Sequence, residues 1–218
     1  IPLDNLTTAA WILTAYLVFY SISLFVMGSI SDFIGRKTAF IACLMIYIIG
    51  SGMLIFYELP GAVLTPITTM LGIGVSGDVL SVLIARSTAA FGAGALVSIA
   101  IALIGDLFDS KHRSLPLALV IGADTSGWLV GSLWGGFVVQ LFSWKTIFLI
   151  NISIVLVVMI FAFWNLRHLA LRHTSGHVDF WGIILLVSSV VSINAALLEL
   201  FNTNAANLSL LIGLLLTF

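Results

Sequence analysis

The sequence predicts an all-α membrane protein, and three observations carry that expectation. Hydrophobic residues make up 61% of the 218 positions and charged residues only 8%, far from the roughly 25% charged of a soluble domain. Mean hydropathy is +1.23. The apolar residues gather into runs close to the about 20 residues that a spanning helix needs, and most of the charges fall between the runs. Strands this apolar would leave backbone groups unpaired in lipid, so no sheet is expected.

In chain order the runs are 9–30, 38–57, 79–105, 115–141, 144–165 and 179–200, and a seventh begins near Asn207 and reaches Phe218. The connections 31–37, 106–114 and 166–178 carry Arg36, Lys37, Lys111, Arg113, Arg167 and Arg172, whereas 58–78 and 142–143 with the helix-start Lys145 carry one base. Basic residues are retained in cytoplasmic loops, so the first set is read as cytoplasmic and the first complete run as travelling inward. Trp11, Trp144 and Trp181 fall near run ends, where indole rings favour the interface. The short connections imply antiparallel neighbours in a helical bundle.

Segment 58–78 is apolar but punctuated by Pro60, Gly61, Pro66, Gly72, Gly74 and Gly77. It is expected as a long outer loop in or dipping into the interface; a re-entrant segment would need protein or water around its backbone. His168, His173 and His177 stand beside Arg167 and Arg172 without the carboxylate or thiol partners of a metal set, so a solvated basic loop is expected there. Lone Cys43 excludes an internal disulfide and reads as a small packing residue. The net charge of -1 offers no case for a nucleic-acid partner. No Ser/His or His/Glu constellation and no phosphate-binding glycine loop appears, so an enzyme is not expected. The chain starts at Ile1 without a basic leader and ends inside an apolar run, so it is expected to be a piece of a longer polytopic protein.

Two charges stand well inside runs, away from their ends. Arg86 is expensive there unless it faces a cavity or a carboxylate, or snorkels to the headgroups. Asp124 must be protonated, paired or bathed in water, which fits proton coupling; alternatively it hydrogen-bonds Thr125, Ser126 or a neighbouring helix as packing glue. Helix counting sets Arg86 toward the outer side and Asp124 toward the inner half, so direct pairing is not expected. Gly127, Gly131 and Gly135 recur every four residues along one helix face, with Gly136 beside them, and permit close backbone packing.

The segment Gly28-Ser-Ile-Ser-Asp32-Phe-Ile-Gly35-Arg36-Lys37 resembles the signature loop between the second and third helices of the major facilitator superfamily. Here Phe33 stands where many relatives have a base. Gly35 suits a sharp turn with positive φ, and Asp32 and Arg36 can pair with each other. Arg86 followed by Gly92 and Gly94 resembles the fourth-helix antiporter motif, with Phe91 replacing its glutamine. Asp124 to Gly136 resembles the fifth-helix motif, with Ser132 replacing its proline and Ala118 its first glycine. Ser143-Trp144-Lys145 through Asn151, and Gly105-Asp106-Leu-Phe108 with Arg113, continue the series in order. His177-Val-Asp179-Phe-Trp181-Gly182 resembles the first extra helix of the fourteen-helix drug:proton antiporter branch.

The resemblance implies a partial major-facilitator bundle holding helices two to seven and the start of eight, with residues 1–165 in the N-terminal bundle and 166–218 forming an inner loop and the start of the extra helix pair. It implies a multi-pass protein of the cell membrane, monomeric at full length. The activity implied is proton-coupled export of small amphipathic organic molecules; import, siderophore or amino-acid transport and a sensor without flux are the alternatives. Arg86 and Asp124 would serve transport and coupling. Gly28, Asp32, Gly35, Arg36, Lys37, Asp106 and Arg113 would form a conformational latch, and Gly92, Gly94, Gly127, Gly131, Gly135 and Gly136 would pack helices. The partners implied are a small-molecule substrate, protons and the lipid bilayer, with no cofactor and no metal.

Overall fold

The computed structural model describes residues 6–70, 76–166 and 180–199. Seven helices follow one another: α1 Leu6–Ile34, α2 Arg36–Ile55, α3 Glu58–Met70, α4 Gly77–Leu107, α5 Ser114–Leu141, α6 Trp144–Leu166 and α7 Phe180–Glu199. No strand occurs among the described residues. Five of the helices, α1, α2, α4, α5 and α6, are long and apolar enough to cross a membrane. Arg167, His168, Arg172, His173, His177, Asp179, Gly72, Gly74 and the run from Asn207 lie outside the described residues.

The turn between α1 and α2 is tighter than the polar segment 31–37 suggests. Helix α1 runs on through Asp32 to Ile34, and Gly35 alone breaks it, at φ 89 and ψ 129. A side chain at that φ is disfavoured, so one glycine does the work of a longer loop. At the other end Ser76 caps α4, its hydroxyl accepting from the Val79 N–H at 3.5 Å.

Segment 58–70 departs from expectation, for it is helix α3 and not a loop. Pro60 sits in the first turn, where the missing N–H costs nothing. Farther along, hydroxyls engage the carbonyls: Thr65 Oγ1 donates to Gly61 O at 2.8 Å, and Thr69 Oγ1 donates to Pro66 O at 2.9 Å. Gly61 and Gly77 then let α3 and the start of α4 meet backbone to backbone, since a Cβ on Gly77 would strike Gly61 O and the Thr65 N–H. The prolines and glycines that suggested irregular chain serve a tightly seated short helix.

Helix α4 is the centre of the bundle and packs against both α1 and α2. Gly92 and Gly94 lie two residues, about 200°, apart around the helix, so they serve opposite neighbours. A Cβ on Gly92 would stand 2.7 Å from Tyr47 N and 2.8 Å from Cys43 O in α2, and one on Gly94 would run into Tyr20 and Ser23 of α1. Gly50 of α2 repeats the device against Ala85 and Ala89. Between these contacts Met27, Ala39, Cys43, Ala95 and Ile99 form one apolar core, with Cys43 fully buried. Leu54, Tyr57, Val82 and Ala85 form a second, against which Trp144 and Phe148 pack.

Ion pairs mark the two ends. Arg36 and Asp106 meet at one, and Lys145 Nζ donates to Glu58 Oε1 at 3.0 Å at the other, with the ammonium also 5.1 Å from the Tyr57 ring centroid. The Lys145 hydrogen bond holds the Glu58 carboxyl below its ordinary range, so this clasp is complete at neutral pH and is lost only as pH falls below that range. On the charge count the Arg36 end is expected in the cytoplasm. Single-cysteine labelling of the full-length protein lacking Cys43 should therefore find position 36 reactive only from inside and position 58 only from outside; the reverse pattern would invert the topology.

Candidate functional site

A cavity of about 540 Å³ opens between α1, α2, α4, α5 and α6. Helix α4 contributes Arg86, whose guanidinium carbon lies 5.4 Å from the Tyr16 ring centroid and 5.4 Å from that of Phe148. The side chain thus turns into the bundle between two ring faces. Helix α5 contributes Asp124, whose Oδ1 accepts a hydrogen bond from the Tyr20 hydroxyl at 2.8 Å.

An aromatic cluster joins the two charges. Tyr16 and Tyr20 stack with centroids 6.1 Å apart, and Trp128 meets both edge-on at 6.2 Å and 5.8 Å. Arg86 and Asp124 face the same cavity without forming an ion pair. Asp124 takes a neighbouring-helix partner, Tyr20, while Thr125 and Ser126 spend their hydroxyls on carbonyls of their own helix.

The glycines divide into two kinds. Gly92 and Gly94 press on neighbouring backbones, as described above. Gly127, Gly131 and Gly136 would carry a Cβ with nothing within 4 Å, and Gly135 would reach only Ile147 Cδ1 at 3.9 Å. The expected close-packed seam on α5 is absent among the described residues. Instead Gly127, Gly131 and Gly135 line the cavity, where small residues leave volume free. Gly28 likewise meets nothing within 4 Å.

At the Arg36 end the signature segment forms a three-charge cluster. Arg36 Nη2 lies 2.9 Å from Asp32 Oδ1, on the other side of the Gly35 turn, and Arg36 Nε contacts Asp106 Oδ2 at the end of α4. Asp32 Oδ1 is buried without an aligned hydrogen bond, so charge alone holds that contact. Arg113 stands apart, its Nε donating to Phe108 O at 2.6 Å to close the α4–α5 loop. Lys37 joins no ion pair among the described residues. Asp32→Asn should retain folded yield, because a partly exposed pair contributes only about 0.2–1 kcal/mol. If the cluster is the latch that the sequence resemblance implies, initial flux by the full-length protein at equal reconstituted amounts should fall severalfold in this variant; wild-type flux would remove that role.

Sequence reasoning missed Tyr16, Tyr20, Trp128, Phe148 and Ser51 in the cavity wall. One signal was available: Tyr16 and Tyr20, and Asp124 and Trp128, are each four apart and so share a helix face.

Apolar helices around an open cavity lined by one cation and one carboxylate define a multi-pass helical-bundle membrane protein. The chain belongs to the Major Facilitator Superfamily, whose profile matches residues 3–218. It is 27% identical to the multidrug transporter protein MdtP of Bacillus subtilis, over 89% of this chain and 32% of that protein. Against a triacylglyceride transporter of Mycobacterium tuberculosis strain H37Rv the identity is 29%, over 94% of this chain and 36% of the relative. Multidrug resistance protein 3 of Bacillus subtilis is 27% identical over 96% of this chain and 37% of its own length. The chain thus spans about a third of the length of these curated relatives.

Proposed function

We propose that this protein is a secondary active transporter that exports small amphipathic organic molecules in exchange for protons, by alternating access across a cell membrane. In this reading residues 1–165 belong to an N-terminal bundle and 166–218 lead into an extra helix pair, as in the fourteen-helix branch. The observation that carries the proposal is Asp124, a carboxylate inside a span, set in a cavity and held by a phenol from another helix. Such a group can exchange a proton with cavity water, and protonation changes the hydrogen bond that links α1 to α5. Relatives named for multidrug and for triacylglyceride transport favour an amphipathic or apolar cargo. The Asp32–Arg36–Asp106 cluster serves as the latch that favours one access state.

The full-length protein is expected to act as a monomer. Reconstituted in vesicles, it should move an amphipathic fluorescent dye outward under an imposed proton gradient and acidify the opposite compartment in step. Dye movement indifferent to the gradient would remove proton coupling. Dye binding without flux would make the protein a sensor.

A further inference from the structure

Arg86 is the charge in this fold whose partners are least sufficient. A guanidinium in a span calls for an anion or a water-filled cavity, and among the described residues no carboxylate lies within ion-pair distance of it. Its contacts are the faces of Tyr16 and Phe148, which orient the group yet leave its N–H edge without an acceptor. Ring faces satisfy charge, not hydrogen-bonding capacity.

Ser51 supplies an independent observation. It is 1% exposed, it lines the same cavity, and its hydroxyl has no hydrogen-bond partner. Several serines in these helices spend that hydroxyl on a carbonyl one turn back, as Ser132 does on Trp128 and Ser153 on Leu149; Ser81 in α4 is also buried without a partner, but only Ser51 of the two lines the cavity. Leaving a buried hydroxyl unpaired is costly, so one that lines a cavity is a donor suited to an acceptor bound there. Asn151 on α6 adds an amide to the lining. The carboxylate of Asp124 is engaged elsewhere, by Tyr20.

We infer that this cavity binds an amphipathic molecule through an anionic headgroup, a phosphate or carboxylate, with Arg86 as its charge partner and Ser51 as a hydrogen-bond donor. A guanidinium fork suits the two oxygens of either group. The apolar body lies along Leu13, Trp128 and Ile147, which line the remaining wall. The inference rests on the reading of this cavity as a cargo site and narrows the class of cargo.

The test compares three probes with one alkyl chain, decyl phosphate, decyltrimethylammonium and decanol, binding to the full-length protein in nanodiscs of uncharged lipid. Decyl phosphate should bind at least about tenfold more tightly than the other two, the discrimination of one charge-assisted contact. Arg86→Gln should abolish that preference, and Ser51→Ala, a smaller change that keeps the fold testable, should reduce it severalfold. Equal binding of all three probes, binding of none, or an undiminished preference in both variants would overturn the inference. Should a carboxylate elsewhere in the full-length chain occupy Arg86, decyl phosphate will show no preference, and the inference falls. Failure of the transport reading looks different: the anion preference persists while vesicles show no flux. Flux with no anion preference sinks this inference alone.

Discussion

Gly92→Leu should leave almost no folded protein. A Cβ at that position already stands 2.7 Å from Tyr47 N and 2.8 Å from Cys43 O, and both are backbone atoms of a helix that cannot swing aside as a side chain does. Even Gly92→Ala must part α2 from α4, at about 1–3 kcal/mol for overpacking of one methyl group. That separation would loosen the core around Cys43, Ala95 and Ile99, all fully buried. Thermal unfolding of the full-length protein measures it: the alanine variant should lose several degrees, and the leucine variant should not purify as a folded species. Gly131→Ala is the control, since its added Cβ meets nothing within 4 Å. Its midpoint should match wild type. If Gly92→Ala also matches, α2 and α4 do not meet as closely as described.

Asp124→Asn should remove gradient-driven transport and spare exchange. An asparagine keeps an oxygen where Oδ1 accepts the Tyr20 hydroxyl, so the α1–α5 bond survives while the titratable proton is lost. Proton-driven flux should fall roughly tenfold or more, within the range of a coupling free energy of about 1–3 kcal/mol, and substrate exchange without a gradient should stay near wild type. Tyr20→Phe makes the reciprocal change, removing the bond and keeping the carboxylate. If Asp124→Asn leaves both activities intact, the carboxylate is packing glue and coupling lies elsewhere.

Local features were legible because their physics is local. Asp32 and Arg36 are four residues apart and flank the Gly35 turn, so they are close neighbours whichever way the helices pack. The pairing of Arg36 with Asp106 joins positions seventy residues apart and depended on α4 packing beside α1 and α2. Segment 58–70 was misread because its prolines and glycines weaken local helix propensity. What outweighed propensity was contact with α4, through Gly61, Gly77 and Thr65. The glycines carry the same lesson in another form. Gly92 and Gly131 look alike as letters, yet one presses on a backbone and the other leaves room in a cavity.

By itself the sequence determined the solvent, the spans, their alternation and the end at which the basic residues gather, because each backbone segment in lipid must satisfy its own hydrogen bonds and each charge must stay near water or a partner. Only the tertiary structure decided which faces of those helices meet. Rotating an all-round apolar helix about its axis changes little in its exchange with lipid, so the choice falls to close contacts between small residues and to the few polar side chains that find partners. That is how Tyr20 reached Asp124 across 104 positions, and how Arg86 came to lie between Tyr16 and Phe148.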